Sequence, residues 1–136
     1  MNKKSLLAIE RIISCINELD ILTKNKDADY FYKSFEMNMV LDLIYEIENS
    51  LNKISDNIKL KYDNVDWQVV EKAHYYDEVM GSSLKINKAW ELANKIIKDK
   101  LLNNLNIILE KEIPEYYKNL CNKRHKKFIR DKQKKN

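Results

Sequence analysis

The sequence predicts an all-α protein, built as an antiparallel bundle of four long helices with a short fifth helix. Residues that make turns are scarce, since the 136-residue chain contains one Gly and one Pro. Apolar residues also recur at steps of three and four over long stretches, which is the helical period. The length suits one domain with a core of its own.

The first two helices have strong apolar patterns. Helix one is predicted over residues 5–22, with Ser5 as a candidate N-cap. Helix two is predicted from Asp29 to about residue 59. Its apolar residues have the spacing of a helical-bundle seam: Met37, Val40, Ile44, Ile47, Leu51, Ile54 and Ile58.

The remaining helices are bounded by the few turn residues. Helix three is predicted from Trp67 to about Met80, with Gly81 as its left-handed C-terminal cap. Helix four is predicted over residues 86–111, and Pro114 suits the first turn of helix five. The inner side of helix four is formed by Ile86, Trp90, Ala93, Ile97, Leu101, Leu105 and Ile108.

Charge divides the chain into two parts. Residues 122–136 hold eight Lys or Arg and one Asp, a charge of +7, so the total of +4 leaves residues 1–121 at −3. We therefore predict a helical body over 1–121 and a basic C-terminal tail over 122–136. Cys15 and Cys121 lie in apolar helical patterns without metal-ligand spacing, and we interpret both as reduced core thiols of a cytoplasmic protein. No apolar run is long enough to span a membrane.

Helix two carries more apolar surface than one core can use. A second apolar face lies outside its seam and consists of Phe31, Phe35, Met39 and Leu43. Such a surplus predicts a partner, most simply a second copy of the chain in a homodimer.

Residues 43–70, "LIYEIENSLNKISDNIKLKYDNVDWQVV", resemble the central segment of the HepT-like HEPN family. The family's residues that end one helix and open the next are matched without a gap by Ser55, Lys61, Tyr62 and Trp67. The family's second tryptophan matches Trp90, and its "LP.L" segment matches "EIPEYYK" with Pro114. The family's glutamate falls on Asn49, one residue after Glu48. The resemblance covers about residues 5–120.

This resemblance implies a HEPN-like fold, a homodimer and metal-independent RNA cleavage without a cofactor. Active relatives are ribonuclease toxins of bacterial toxin–antitoxin pairs, and their partner is a small nucleotidyltransferase-fold antitoxin. It therefore implies an RNA-directed protein of a bacterial or phage toxin–antitoxin or antiviral conflict system.

The family's catalytic motif is incomplete in this sequence. The motif is Arg, four residues, His, one residue, Tyr; the His moves the 2′-hydroxyl proton and the Arg stabilises the phosphorane charge. With the tryptophans aligned, His74 takes the Arg position, while Val79 and Gly81 take the His and Tyr positions. A shifted alignment makes His74 and Tyr76 the His and Tyr, puts Val69 at the Arg position and requires a five-residue insertion. The candidate catalytic residues are thus His74 and Tyr76, and we expect ribonuclease activity to be impaired or absent.

Both candidates also have structural interpretations. His74 could be a helix histidine paired with Glu71 or Glu78 at helical spacing. Tyr76 falls on a helical stripe with Val69, Ala73 and Met80, which predicts a place in the core or at a dimer interface.

The tail has two interpretations as well. As an arm that contacts RNA phosphates, it would use Lys123, Arg124, Lys126, Lys127 and Arg130. Alternatively, it is a solvated, frayed terminus. The competing function for the whole chain is that of a non-enzymatic interaction or inhibitor protein, which binds a protein partner through its helical faces.

Overall fold

The structure is a computed structural model that describes residues 1–79 and 81–134, except for the side chains of residue 125 and residues 128–134. The described chain is mostly helical, with one two-stranded antiparallel hairpin. The predicted helical character is therefore confirmed. Within the described residues, however, three helical stretches are long, and a hairpin replaces one of the predicted helices.

Six α-helices are described: α1 (Lys3–Thr23), α2 (Ala28–Lys33), α3 (Glu36–Lys53), α4 (Asp56–Lys61), α5 (Ile86–Glu91) and α6 (Asn103–Lys134). A 3₁₀ turn at Glu71–Ala73 leads into β1 (His74–Asp77), which pairs with β2 (Gly81–Leu84). Two π-helical segments, Leu92–Ile96 and Lys98–Leu102, join α5 to α6. Residues 86–134 therefore form one continuous long helix.

Helix α1 is the centre of the molecule and lies antiparallel to both neighbours. Near its start, Ser5 contacts Ser55 beyond the end of α3; near its end, Asp20 pairs with Lys98 early in the long helix. The N-cap is Asn2 rather than the predicted Ser5, because the Asn2 side chain accepts a hydrogen bond from the Ser5 amide at 2.8 Å. Ser5 is instead buried, and its hydroxyl accepts a hydrogen bond from the Ser55 amide.

The predicted helix two is divided into α2, α3 and α4. The backbone is extended at Ser34 and again at Ile54 and Ser55, and the Ser55 side chain caps α4. The seam residues nevertheless form the core as predicted. Met37 packs against the core, and the six other seam residues, Val40, Ile44, Ile47, Leu51, Ile54 and Ile58, are at most 4% exposed.

The outer apolar face of helix two is smaller than predicted. Phe31 is buried on α2 against Trp90, with ring centroids 5.2 Å apart, and Leu43 packs against the core. Phe35 and Met39 remain exposed.

The π-helical segments of the long helix have a physical reason in the sequence. Ala93, Ile97, Leu101 and Leu105 follow one another at steps of four and are all buried. In an α-helix each step of four residues rotates about 40° beyond a full turn, so such a stripe would drift off the core. The wider π turn reduces that drift and keeps the four side chains against α1 and α3.

Pro114 does not begin a separate helix, as the sequence analysis expected, but lies inside α6. A proline within a helix leaves the carbonyl four residues earlier without its N–H partner and costs about 3 kcal/mol. Both Pro114 and Glu110 are exposed, so water can bind the freed carbonyl. The same helix passes the predicted body–tail boundary at residues 121 and 122 without a break.

The predicted helix three is wrong, because residues 74–77 and 81–84 form the hairpin. Tyr75 and Tyr76 favour strands, and the Asp77 side chain accepts a hydrogen bond from the Val79 amide, as in a turn. Gly81 has the predicted left-handed conformation, with φ 74°, but it serves the hairpin rather than a helix end. Residue 80 lies outside the described residues.

The cysteines differ in their environment. Cys15 is buried in the core, as predicted, whereas Cys121 is exposed on α6, so its interpretation as a core thiol is wrong. Both are free thiols. Within the described residues, no helix has the length and apolarity to cross a membrane.

Candidate functional site

The hairpin places His74 against α3, where both ring nitrogens have partners. Its Nε2 lies 2.7 Å from Oε2 of Glu48, and its Nδ1 lies 3.0 Å from Oγ of Ser82 on the opposite strand. The Nε2 and Oε2 atoms are both buried, and within the described chain neither has a partner with hydrogen-bond geometry, so their contact is a close approach rather than a hydrogen bond. Tyr45 packs edge-on to the imidazole, with ring centroids 6.3 Å apart. The ring is thus fixed by groups on two elements.

The partner of His74 is therefore neither Glu71 nor Glu78, as helical spacing suggested, but Glu48, 26 positions away in sequence. Glu48, which contacts His74, directly precedes Asn49, the residue at the family's glutamate position. Ser82 was missed altogether, because its proximity to His74 depends on the register of the hairpin.

The cavity beside His74 is unsuited to a phosphate. It has a volume of about 420 Å³, and its charged lining residues other than His74 are Glu48 and Glu71. Among the described side chains, no Lys or Arg lines it. Lys72, the nearest cation in sequence, instead forms an ion pair with Asp66 at 3.0 Å. The charge-stabilising group that RNA cleavage requires is absent from this cavity.

Tyr76 does not complete a site with His74. Its side chain is 77% exposed on β1, so its predicted place in the core is wrong. Because successive residues of a strand point to opposite faces, His74 and Tyr76, which lie two apart on β1, share one face of the strand. Tyr76 is nevertheless exposed to solvent, whereas the His74 imidazole is held by Glu48 and Ser82. Val69, at the shifted Arg position, is buried.

The residues that carry the family resemblance form a joint between α4 and α6. Glu112 of α6 is 3% exposed and accepts hydrogen bonds from the Tyr62 hydroxyl at 2.6 Å and from Lys61 Nζ at 2.7 Å. The Trp67 indole N–H donates to the Tyr62 carbonyl at 3.0 Å. The residues at these matched positions therefore stabilise the contact between α4 and α6. Glu112 is the one residue of this joint that the sequence did not indicate.

The joint shifts the pKa of two of its members. Burial raises the pKa of the Glu112 carboxyl, but hydrogen bonds from Lys61 and Tyr62 outweigh it, so the net pKa is lowered. Burial, followed by the hydrogen bond to Glu112, raises the pKa of Tyr62 to about 12. Glu112 is thus a buried carboxylate and Tyr62 a neutral donor over the ordinary pH range.

The predicted RNA-binding residues lie on the last turns of α6. Lys123, Arg124, Lys126 and Lys127 are exposed, and none of them has an ion-pair partner within the described side chains. The side chain of Arg130 lies outside the described part. The end of α6 thus presents at least four exposed cations on one helix.

A scan against protein-family models, a search of curated proteins and a search of solved structures each gave no match to this chain.

Proposed function

We propose that the chain is a HEPN-like helical protein that binds RNA without cutting it, as a component of a bacterial or phage toxin–antitoxin or antiviral conflict system. The proposal rests on the exposed cations of α6. Lys123, Arg124, Lys126 and Lys127 form a basic, solvent-exposed end on a body that is slightly acidic. Phosphates bind such cations with release of counterions, independently of base sequence.

The environment of His74 supports binding over cleavage. A general base needs a ring nitrogen free to face the 2′-hydroxyl. Here Glu48 faces one nitrogen and Ser82 the other. The adjoining cavity also carries two carboxylates, which repel a phosphate.

The binding test uses a labelled RNA pool and fluorescence anisotropy at several salt concentrations. We expect the wild type to bind and deletion of residues 122–136 to abolish binding. Replacing the four described cations, Lys123, Arg124, Lys126 and Lys127, by Gln should weaken binding and reduce the slope of log K against log salt by roughly 2–3.

A matched control removes the same charge elsewhere. Lys24, Lys33, Lys53 and Lys95 are exposed and have no ion pair within the described side chains. Replacing these four lysines by Gln should leave the salt slope nearly unchanged. Equal losses in the two variants would show that binding depends on net charge alone and would contradict an RNA-binding end of α6.

The cleavage test incubates the same RNA with chelator, wild type and His74→Ala. We expect the RNA to stay intact with both proteins, because the charge-stabilising partner is missing. Metal-independent cutting by the wild type that disappears in His74→Ala would overturn the proposal and make His74 a general base.

A second candidate function is that of a protein-binding inhibitor, and the hairpin favours it. Tyr76 is 77% exposed and Val79 is 89% exposed, on one small element. Co-purification from host cells with the tail-deleted chain tests this function. A partner retained by the tail-deleted chain and lost on Tyr76→Ser with Val79→Ser would support the inhibitor over the RNA-binding protein.

A further inference from the structure

A second basic surface continues the end of α6 onto the start of α1. Here a cleft of about 630 Å³ lies between the two helices, a size within the range of about 300–1,000 Å³ typical of ligand pockets. Its lining includes Lys3 from α1 and Lys123 and Lys126 from α6. No local sequence pattern indicates this cleft, because the two segments that form it are more than a hundred residues apart.

The cleft combines cations with groups that suit a nucleobase. Of the described residues that line it, three are lysines and none is acidic, so its field favours an anion. Tyr116 is a partly buried aromatic side chain in the lining, and Asn119 and Asn122 add side-chain amides. Aromatic rings stack on unpaired bases, and amides can donate to and accept from base edges.

We propose that this cleft binds a nucleotide of single-stranded RNA, with the base stacked on Tyr116 and the phosphate held by Lys3, Lys123 and Lys126. This inference deepens the proposed RNA binding and rests on it. Duplex RNA does not fit the proposal, because its bases are already stacked and paired. An acidic peptide would satisfy the lysines but would leave the aromatic ring and the amides without a role.

The chain offers a matched control for each contact. Lys4 and Tyr117 lie next to Lys3 and Tyr116 in sequence, and Lys118 lies on α6 with Lys126. All three controls are exposed and do not line the cleft. Binding of labelled U10 RNA is measured for Lys3→Ala, Tyr116→Ala and Lys126→Ala beside Lys4→Ala, Tyr117→Ala and Lys118→Ala. Circular dichroism verifies that each variant is folded. Tyr116→Phe is measured as well, in case Tyr116→Ala disturbs the helix, because Tyr116→Phe keeps the aromatic ring.

We expect Tyr116→Ala to weaken U10 binding roughly tenfold or more, from the loss of one stacked base. Tyr117→Ala and Tyr116→Phe should change it by less than about twofold, since neither removes the stacking ring. Lys3→Ala and Lys126→Ala should each weaken U10 binding more than Lys4→Ala and Lys118→Ala do, and duplex RNA should bind more weakly than U10.

Each other outcome has a distinct meaning. If the wild type binds no RNA, the proposed function fails, and the cleft proposal fails with it. The cleft proposal alone is overturned if the wild type binds U10 but each cleft variant and its control lose the same affinity. It is also overturned if duplex RNA binds as well as U10. Binding of hexaglutamate, a model acidic peptide, is measured with the same variants. If the cleft variants lose hexaglutamate binding but keep U10 binding, the cleft binds an acidic peptide and the cleft proposal is overturned.

Discussion

Glu112 shows how one buried carboxylate can organise residues that the sequence presents separately. Its two hydrogen-bond donors come from the end of α4, 50 and 51 positions away. A glutamate in a helical run ordinarily suggests a solvated position, because Glu is seldom fully buried without partners. No local pattern distinguishes it from Glu110 or Glu115, and its role is determined by the tertiary contact alone.

The joint at Glu112 makes stability depend on pH at both extremes. The pKa of Glu112 is lower in the folded chain than in the unfolded chain, where it is 4.5. Its stabilising contribution is therefore present above pH 4.5 and is lost as the pH falls through the folded value. Tyr62 behaves in the opposite way, since its folded pKa of about 12 exceeds the unfolded 10.0. Its contribution is full below pH 10 and is lost as the pH rises toward 12.

Urea unfolding of wild type, Glu112→Gln and Tyr62→Phe over a range of pH tests this prediction. The stability difference between wild type and Glu112→Gln should shrink as the pH falls below 4.5. The difference between wild type and Tyr62→Phe should shrink as the pH rises from 10 toward 12. Differences that stay constant across both windows would mean that the joint does not contribute through ionisation.

His74 is predicted to anchor the hairpin to α3. His74→Ala removes the imidazole that lies 2.7 Å from the buried Glu48 Oε2, which should lower the free energy of unfolding by about 1–3 kcal/mol. Ser82→Ala removes a hydrogen bond that is exposed to solvent and should cost less than about 1 kcal/mol. Chemical unfolding compares the two variants, and hydrogen exchange of the strand amides should show faster opening in His74→Ala. Equal stability of His74→Ala and wild type would contradict an anchoring role.

At the scale of elements, the sequence predicted the apolar seams and missed the places where the chain departs from them. Ile44, Ile47, Leu101 and Leu105 are buried as their spacing indicated, because periodic burial is a local signal. The hairpin was missed, since Val69, Ala73 and Tyr76 imitate a helical stripe while the pairing of Tyr76 with Ser82 is set by contacts across the turn. His74 was predicted as a site residue, but its contacts with Glu48 and Ser82 were not, because the three residues lie on three different elements.

The π-helical segments give a prediction about two adjacent leucines. Leu101 is fully buried, whereas Leu102 is only partly buried against the core. Leu101→Ala should lower the free energy of unfolding by roughly 2–5 kcal/mol, from lost burial and the cavity left behind. Leu102→Ala should lower the free energy of unfolding clearly less, because the Leu102 side chain is already partly exposed to solvent in the native state. Urea unfolding measures both, and a reversed order would show that the long helix is rotated from the position described.

At the scale of the whole molecule, the polar groups are divided between two places. His74 lies with Glu48 and Glu71 beside an acidic cavity, while the cations Lys3, Lys123 and Lys126 line a separate cleft between the start of α1 and the end of α6. A ribonuclease would need these two kinds of group at one phosphate. Within one described chain they are apart, which is why the geometry favours binding.

The predicted homodimer is the remaining property of the whole molecule, and the exposed part of the outer face indicates where it would form. Phe35 is 83% exposed and Met39 is 46% exposed at the start of α3, where an interface would cover them. Light scattering at micromolar concentration should give about twice the chain mass of 16.3 kDa. Phe35→Ser with Met39→Ser should shift the protein to monomer, and Ile21→Ser, at a 73% exposed site on α1, should leave the dimer intact. A wild type that stays monomeric across a wide concentration range would contradict the predicted homodimer.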